Sequence, residues 1–131
     1  MINVRGTLGG CAVVPSKMKG YNIAREVAMV STNQSLHNRY LMYYFLSRAF
    51  LTYEEMNLAG SVYIGLNIDM LSSCPVTLPG IDEQVMIANY LDKKCNEINT
   101  IINNKELLIQ ELESYKKTMI FEYVTGKKEV H

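Results

Sequence analysis

The sequence predicts an α+β fold: a small mixed sheet-and-helix domain followed by one long C-terminal α-helix. Three observations predict it. Residues 1–34 break short apolar runs with glycine, proline and basic residues, the texture of short strands and tight turns. Residues 36–58 set apolar side chains three to four positions apart, with neither Gly nor Pro between them. Residues 81–125 again hold no Gly or Pro, and their apolar positions recur with a helical period.

The elements follow in order. Ile2 to Val4, Cys11 to Val14 and Val27 to Val30 are the expected strands, separated by the glycine-rich run 5–10 and by the loop Ser16-Lys17-Met18-Lys19-Gly20. Residues 36–58 are expected as one helix, with Leu36, Tyr40, Tyr43 or Tyr44, Leu46 or Ser47, and Phe50 recurring along one side and Ser35 as its N-cap. Gly60 and Gly65 bracket Ser61-Val62-Tyr63-Ile64. A turn or two of helix then begins at Asn67, whose side chain suits a cap. Pro75-Val76-Thr77-Leu78-Pro79 is the expected last strand, closing a domain at residues 1–79. Asp82 and Glu83 fall in the first turn of the long helix, where negative charge complements the helix dipole. Residues 80–125 thus form a spacer or dimerisation helix, and 126–131 a tail.

That helix carries a seven-residue repeat. Leu91, Cys95, Ile98, Ile102, Lys105, Ile109, Leu112, Lys116 and Met119 follow alternating steps of four and three. A neighbouring set through Ile101, Leu108 and Tyr115 is equally apolar, so the stripe is wider than a two-stranded coiled coil needs. Some 40 helical residues would reach roughly 60 Å, which exceeds a domain built from 79 residues. Such a helix requires a partner outside its own domain.

Charge and cysteine content narrow the function classes. The 131 residues carry 13 basic and 13 acidic side chains, a net charge of zero. The zero is uneven: residues 1–50 sum to +5, residues 51–79 to −3 and residues 80–131 to −2. The front of the chain is suited to a phosphate backbone and the remainder to protein partners. Three cysteines, Cys11, Cys74 and Cys95, lie far apart without zinc-site or disulfide-scaffold spacing, which suits a reducing cytoplasm. No signal-peptide pattern opens the chain, and no run approaches the roughly 18 apolar residues that span a bilayer, so no membrane partner is expected. The two histidines, His37 and His131, have no metal-ligand spacing, and no nucleophile elbow or nucleotide motif is present. No metal, cofactor or catalytic residue is expected.

Several motifs in order are more specific than any one alone: Arg5-Gly6-Thr7-Leu8-Gly9, Asn22-Ile23-Ala24-Arg25, Leu66-Asn67 with Leu71, Pro75-Val76-Thr77-Leu78-Pro79, Ile81-Asp82-Glu83-Gln84, Tyr115-Lys116-Lys117 and Val124-Thr125-Gly126-Lys127. Together they resemble a DNA specificity subunit of a type I restriction-modification system, over the later part of one target-recognition domain and its spacer helix. The resemblance implies a non-catalytic protein that reads double-stranded DNA. It further implies docking of a modification (methyltransferase) subunit and, through it, a restriction subunit. Family recognition domains run longer at the N-terminal side, and full subunits carry two domain-plus-spacer units, so the chain resembles less than half of one. Family spacer helices pack antiparallel, and a single spacer meets that need by forming an antiparallel coiled-coil homodimer with a second copy. The expected helix contacts are Leu91, Cys95, Ile98, Ile102, Ile109, Leu112, Tyr115 and Met119. The expected DNA contacts are Arg5, Thr7, Lys17, Lys19, Tyr21, Asn22 and Arg25, with Ser61, Tyr63 and Asn67 as a second group. The competing reading is a truncated helical interaction module that does not bind DNA.

Overall fold

The computed structural model describes residues 1–3, 10–58 and 65–130, and the chain divides into two compact units, Met1–Leu91 and Asp92–His131. In the first unit the main chain of Met1 pairs with Ala12 in both directions, its N–H donating to Ala12 O at 2.8 Å and its carbonyl accepting from Ala12 N at 3.0 Å. That pairing leads into β1 (Ile2–Asn3), which runs antiparallel to β2 (Val27–Ala28) with Ile2 opposite Ala28. The sheet expected across the first 34 residues is therefore, among the described residues, a two-residue ladder with one extra bridge from Ile2 to Cys11. Helices carry the rest.

The single helix expected over 36–58 is two: α1 (Asn38–Phe45) and α2 (Arg48–Leu58). Ser47 makes the break. Its hydroxyl donates to Tyr44 O at 2.6 Å, closing α1, and accepts the Phe50 amide at 3.4 Å, the bond of an N-cap to the third residue of α2. The turn lets Leu41 and Phe45 of α1 and Phe50 of α2 converge. Phe45 and Phe50 pack edge to face with ring centroids 4.8 Å apart. With Ile2 and Leu66 these three form the buried core cluster.

Asn67 caps α3 (Ile68–Ser72) as expected, its Oδ1 accepting the Met70 amide at 2.7 Å. Pro75-Val76-Thr77-Leu78-Pro79 is not a strand. Among the described residues no strand pairs with it; its carbonyls are instead taken by tyrosines. Tyr44 donates to Pro75 O, Tyr40 to Thr77 O at 2.8 Å, and Tyr53 of α2 to Met70 O at 2.9 Å just upstream. The segment is held by hydroxyls in place of a ladder.

α4 (Ile81–Val124) starts after Gly80, with Asp82 and Glu83 in its first turn. Its early turns lie on the first unit through Gln84 and Ala88, both fully buried. Ser35, the expected cap of α1, does not serve; His37 holds that position, and its N–H donates to Gln84 Oε1 at 2.8 Å. The second unit is the rest of α4 and its end. Glu122 O accepts from both Lys127 N and Lys128 N, and Gly126 takes φ +71° to allow it.

Candidate nucleic-acid interface

The basic residues of the front segment fall into two groups. A short 3-10 turn at Ser16–Met18 begins after Pro15, with the Met18 amide on Pro15 O at 2.9 Å and the Lys19 amide on Ser16 O at 3.1 Å. Gly20 then adopts φ +89°, a conformation that a side chain disfavours, and the Tyr21 amide returns to Met18 O at 3.2 Å. Two turns in seven residues place Lys17, Lys19, Tyr21 and Asn22 on one exposed excursion, with Tyr21 77% exposed. Arg25 follows in a further turn, closed by Val27 N on Ala24 O at 3.1 Å. Lys17, Lys19 and Arg25 are exposed and make no ion pair among the described residues. An open groove of about 830 Å³ lies against this excursion, lined by Met18, Lys19, Tyr21, Asn22, Ile23 and Met29 among others.

Arg39 and Arg48 are engaged within the fold. Arg39 donates to Asn89 Oδ1 at 2.5 Å, and Arg48 pairs with Glu55 at 3.2 Å along α2. Lys17, Lys19, Tyr21, Asn22 and Arg25 thus follow one another along one exposed stretch, whereas Arg39 and Arg48 have partners on the protein, both at its surface. Asn67 spends its carbonyl oxygen on the α3 cap. Arg5, Thr7, Ser61 and Tyr63 lie outside the described residues.

An exposed lysine pair beside a tyrosine and an asparagine can neutralise phosphates while presenting a ring and an amide to base edges or sugars. The thiols offer no comparable chemistry. Burial pushes the Cys11 thiol up, partly opposed by the N-terminal charge, and burial pushes the Cys74 thiol up against the lowering effect of its bond with Tyr44, so both stay protonated near neutrality. Among the described residues no group of three or more His, Cys, Asp and Glu is placed to hold a metal ion, and no helix is long and apolar enough to cross a membrane.

On the second unit, the expected helix contacts form an exposed stripe. Ile98, Ile102, Ile109, Leu112 and Tyr115 are between 45% and 61% exposed, Cys95 is exposed and Met119 half-buried. Leu91, at the end of the first unit, is half-buried. The motif Ile81-Asp82-Glu83-Gln84 contains Gln84 but gives no sign that its amide is buried, and the tyrosine hydroxyls that hold residues 70–77 have no signature in the sequence. Tyr40 and Tyr44, one turn apart, do signal a shared face, but one that reads as core.

A family model described as the type I restriction modification DNA specificity domain matches residues 1–113. The putative type I restriction enzyme MjaX specificity subunit of Methanocaldococcus jannaschii is 27% identical over 127 residues, which is 97% of this chain and 28% of that relative. The chain therefore spans little more than a quarter of the curated relative it matches. No solved structure matches the chain at a significant level.

Proposed function

The chain belongs to the family of type I restriction modification DNA specificity domains, and from that premise we propose that it is a non-catalytic, sequence-specific DNA recognition element. It positions modification and restriction subunits on a bipartite site in the cytoplasm. The observation that carries the reading is the exposed excursion of Lys17, Lys19, Tyr21, Asn22 and Arg25, whose three cations make no ion pair among the described residues. Arg5, Thr7, Ser61 and Tyr63 extend the proposed contact set. Asn67 belongs to it through its amide nitrogen.

The second unit serves as spacer and partner surface. None of its described residues is buried, although Ile98, Ile102, Ile109 and Leu112 line it at heptad spacing. A helix with that stripe is stabilised by a second helix laid along it, and we assign that role to a second copy running antiparallel. A two-fold dimer would read a palindromic pair of half-sites. The modification subunit docks on the adjoining Ile101, Leu108 and Tyr115 edge.

The test is salt dependence. Anisotropy with random-sequence duplexes should give a log affinity that falls linearly with log salt. Combining Lys17→Glu, Lys19→Glu and Arg25→Glu should reduce the slope by about one for each phosphate no longer neutralised, and leave the oligomeric state unchanged. Binding that ignores both salt and charge reversal would overturn the reading. Co-purification with a modification subunit, followed by mapping of methylated sites, then tests the assembly.

A further inference from the structure

The groove beside the basic excursion carries more apolar surface than phosphate contact requires. Its walls include Met18, Tyr21, Ile23 and Met29, all large and exposed, together with Lys19 and Asn22. At about 830 Å³ it falls within the roughly 300–1,000 Å³ range of small-ligand sites. The excursion holds these side chains in place. The Tyr21 amide bonds Met18 O across a turn that uses the positive φ of Gly20, so ring and thioether stand three residues apart on a backbone set by two successive turns.

A stacked duplex does not cover such a groove. Each base lies sandwiched between its neighbours, so a protein meets phosphates, sugars and base edges, and the main apolar group on offer is the thymine methyl. A base drawn out of the stack presents two π faces and a free Watson–Crick edge. Holding it takes aromatic and apolar side chains for the faces, a polar group for the edge and cations for the adjoining phosphates. Tyr21 supplies a ring, Met18 and Met29 adaptable thioether chains, and Asn22 a donor and an acceptor on one amide. Lys17, Lys19 and Arg25 add three cations without an ion pair among the described residues, which favours a polyanion over an uncharged apolar peptide as the occupant.

We propose that this groove takes one nucleobase unstacked from the DNA, with Tyr21 against its face and Asn22 at its edge. The inference rests on the recognition function proposed above and adds a base-capture step to it. Capture offsets the cost of unstacking, and that cost is least for a base already unpaired.

The test is anisotropy of the full chain on three short duplexes of one sequence: fully paired, with one bulged nucleotide, and with the same bulge lacking its base. Each of the four bases is placed in the bulge in turn. At least one should raise affinity about fivefold or more over both the paired and the baseless duplex, the lower end of what one base–aromatic stack supplies. Tyr21→Ala should bring that ratio to about twofold or less, and Tyr21→Phe, which keeps the ring, should retain it. Lys17→Ala should weaken all three duplexes alike. Both positions are exposed, so these substitutions do not threaten folding. A baseless bulge bound as tightly as the best base would mean that the groove senses flexibility, and would overturn the proposal, as would a ratio that survives Tyr21→Ala. Salt-steep binding of the paired duplex with no gain from any bulge would overturn base capture and leave the recognition function standing. No salt-dependent binding to any duplex would overturn both.

Discussion

Among the described residues, Glu54 is the acidic side chain that is buried from water. It is 5% accessible, its Oε1 has no hydrogen-bond partner among the described residues, and burial, with a smaller contribution from Glu55, raises its pKa above the ordinary 4.5. A carboxyl that holds its proton more tightly when folded contributes stability that is complete below the unfolded value and lost as pH rises through the raised folded value. The protein should therefore be more stable near pH 5 than near pH 8 on account of this group. Glu54→Gln should flatten that difference and gain about 1 kcal/mol at pH 8, read from urea midpoints at the two pH values. Tyr44 gives a second test at this scale. Burial first, and then its bond with Cys74, push its phenol up to about 12. Ultraviolet titration of the nine tyrosines should contain one late component near pH 12 that Tyr44→Phe removes. None of this was legible in the sequence. A buried Glu next to an exposed one looks like an ordinary acidic pair, and only the packing of α2 tells them apart.

At the level of elements, legibility depended on whether the signal was local. The Asn67 cap and the acidic first turn of α4 use bonds or dipoles within a few residues of the signal, and both stand in the structure. Asn67→Ala should accordingly cost about 1 kcal/mol in thermal or urea unfolding. The helix over 36–58 split because apolar period alone does not register a hydroxyl that offers the backbone a competing bond, as Ser47 does. The last strand failed for a longer-range reason: extended backbone becomes a strand only beside a partner, and residues 75–79 meet tyrosines instead. Ala88 shows the same dependence on a neighbour. A small residue within a strong helical pattern reads as propensity, yet here it is fully buried. Ala88→Leu should destabilise by roughly 1–3 kcal/mol through overpacking, with unchanged helix content by far-ultraviolet circular dichroism at low denaturant.

For the whole molecule, the two units are unequal in what they bury. The first has a cluster of Ile2, Leu41, Phe45, Phe50 and Leu66, whereas no described residue of the second is buried. Isolated helices gain little from propensity alone, so on the proposed dimer the second unit's helix would draw its stability from association. On the dimer proposed above, sedimentation equilibrium should give twice the 14.9 kDa chain mass, and Ile102→Glu with Ile109→Glu should return a single chain and end the dependence of melting temperature on concentration. The candidate site was legible to the extent that charge imbalance is visible in composition. The sequence pointed to Lys17, Lys19, Tyr21, Asn22 and Arg25. It left Arg39 and Arg48 out of the expected contacts without revealing their partners, since Asn89, which accepts from Arg39, lies 50 positions away.

The tyrosine clasp has an evolutionary corollary. Tyr40, Tyr44 and Tyr53 grip the main-chain oxygens of Thr77, Pro75 and Met70, and every amino acid supplies such an oxygen. Selection to keep these bonds therefore falls on the gripping side chains and leaves the gripped positions open. The exposed residues 75 and 77 can drift in identity, and so adapt the surface they present, while the path of the chain toward α4 stays the same; Met70, packed against the core, is held by its side chain as well.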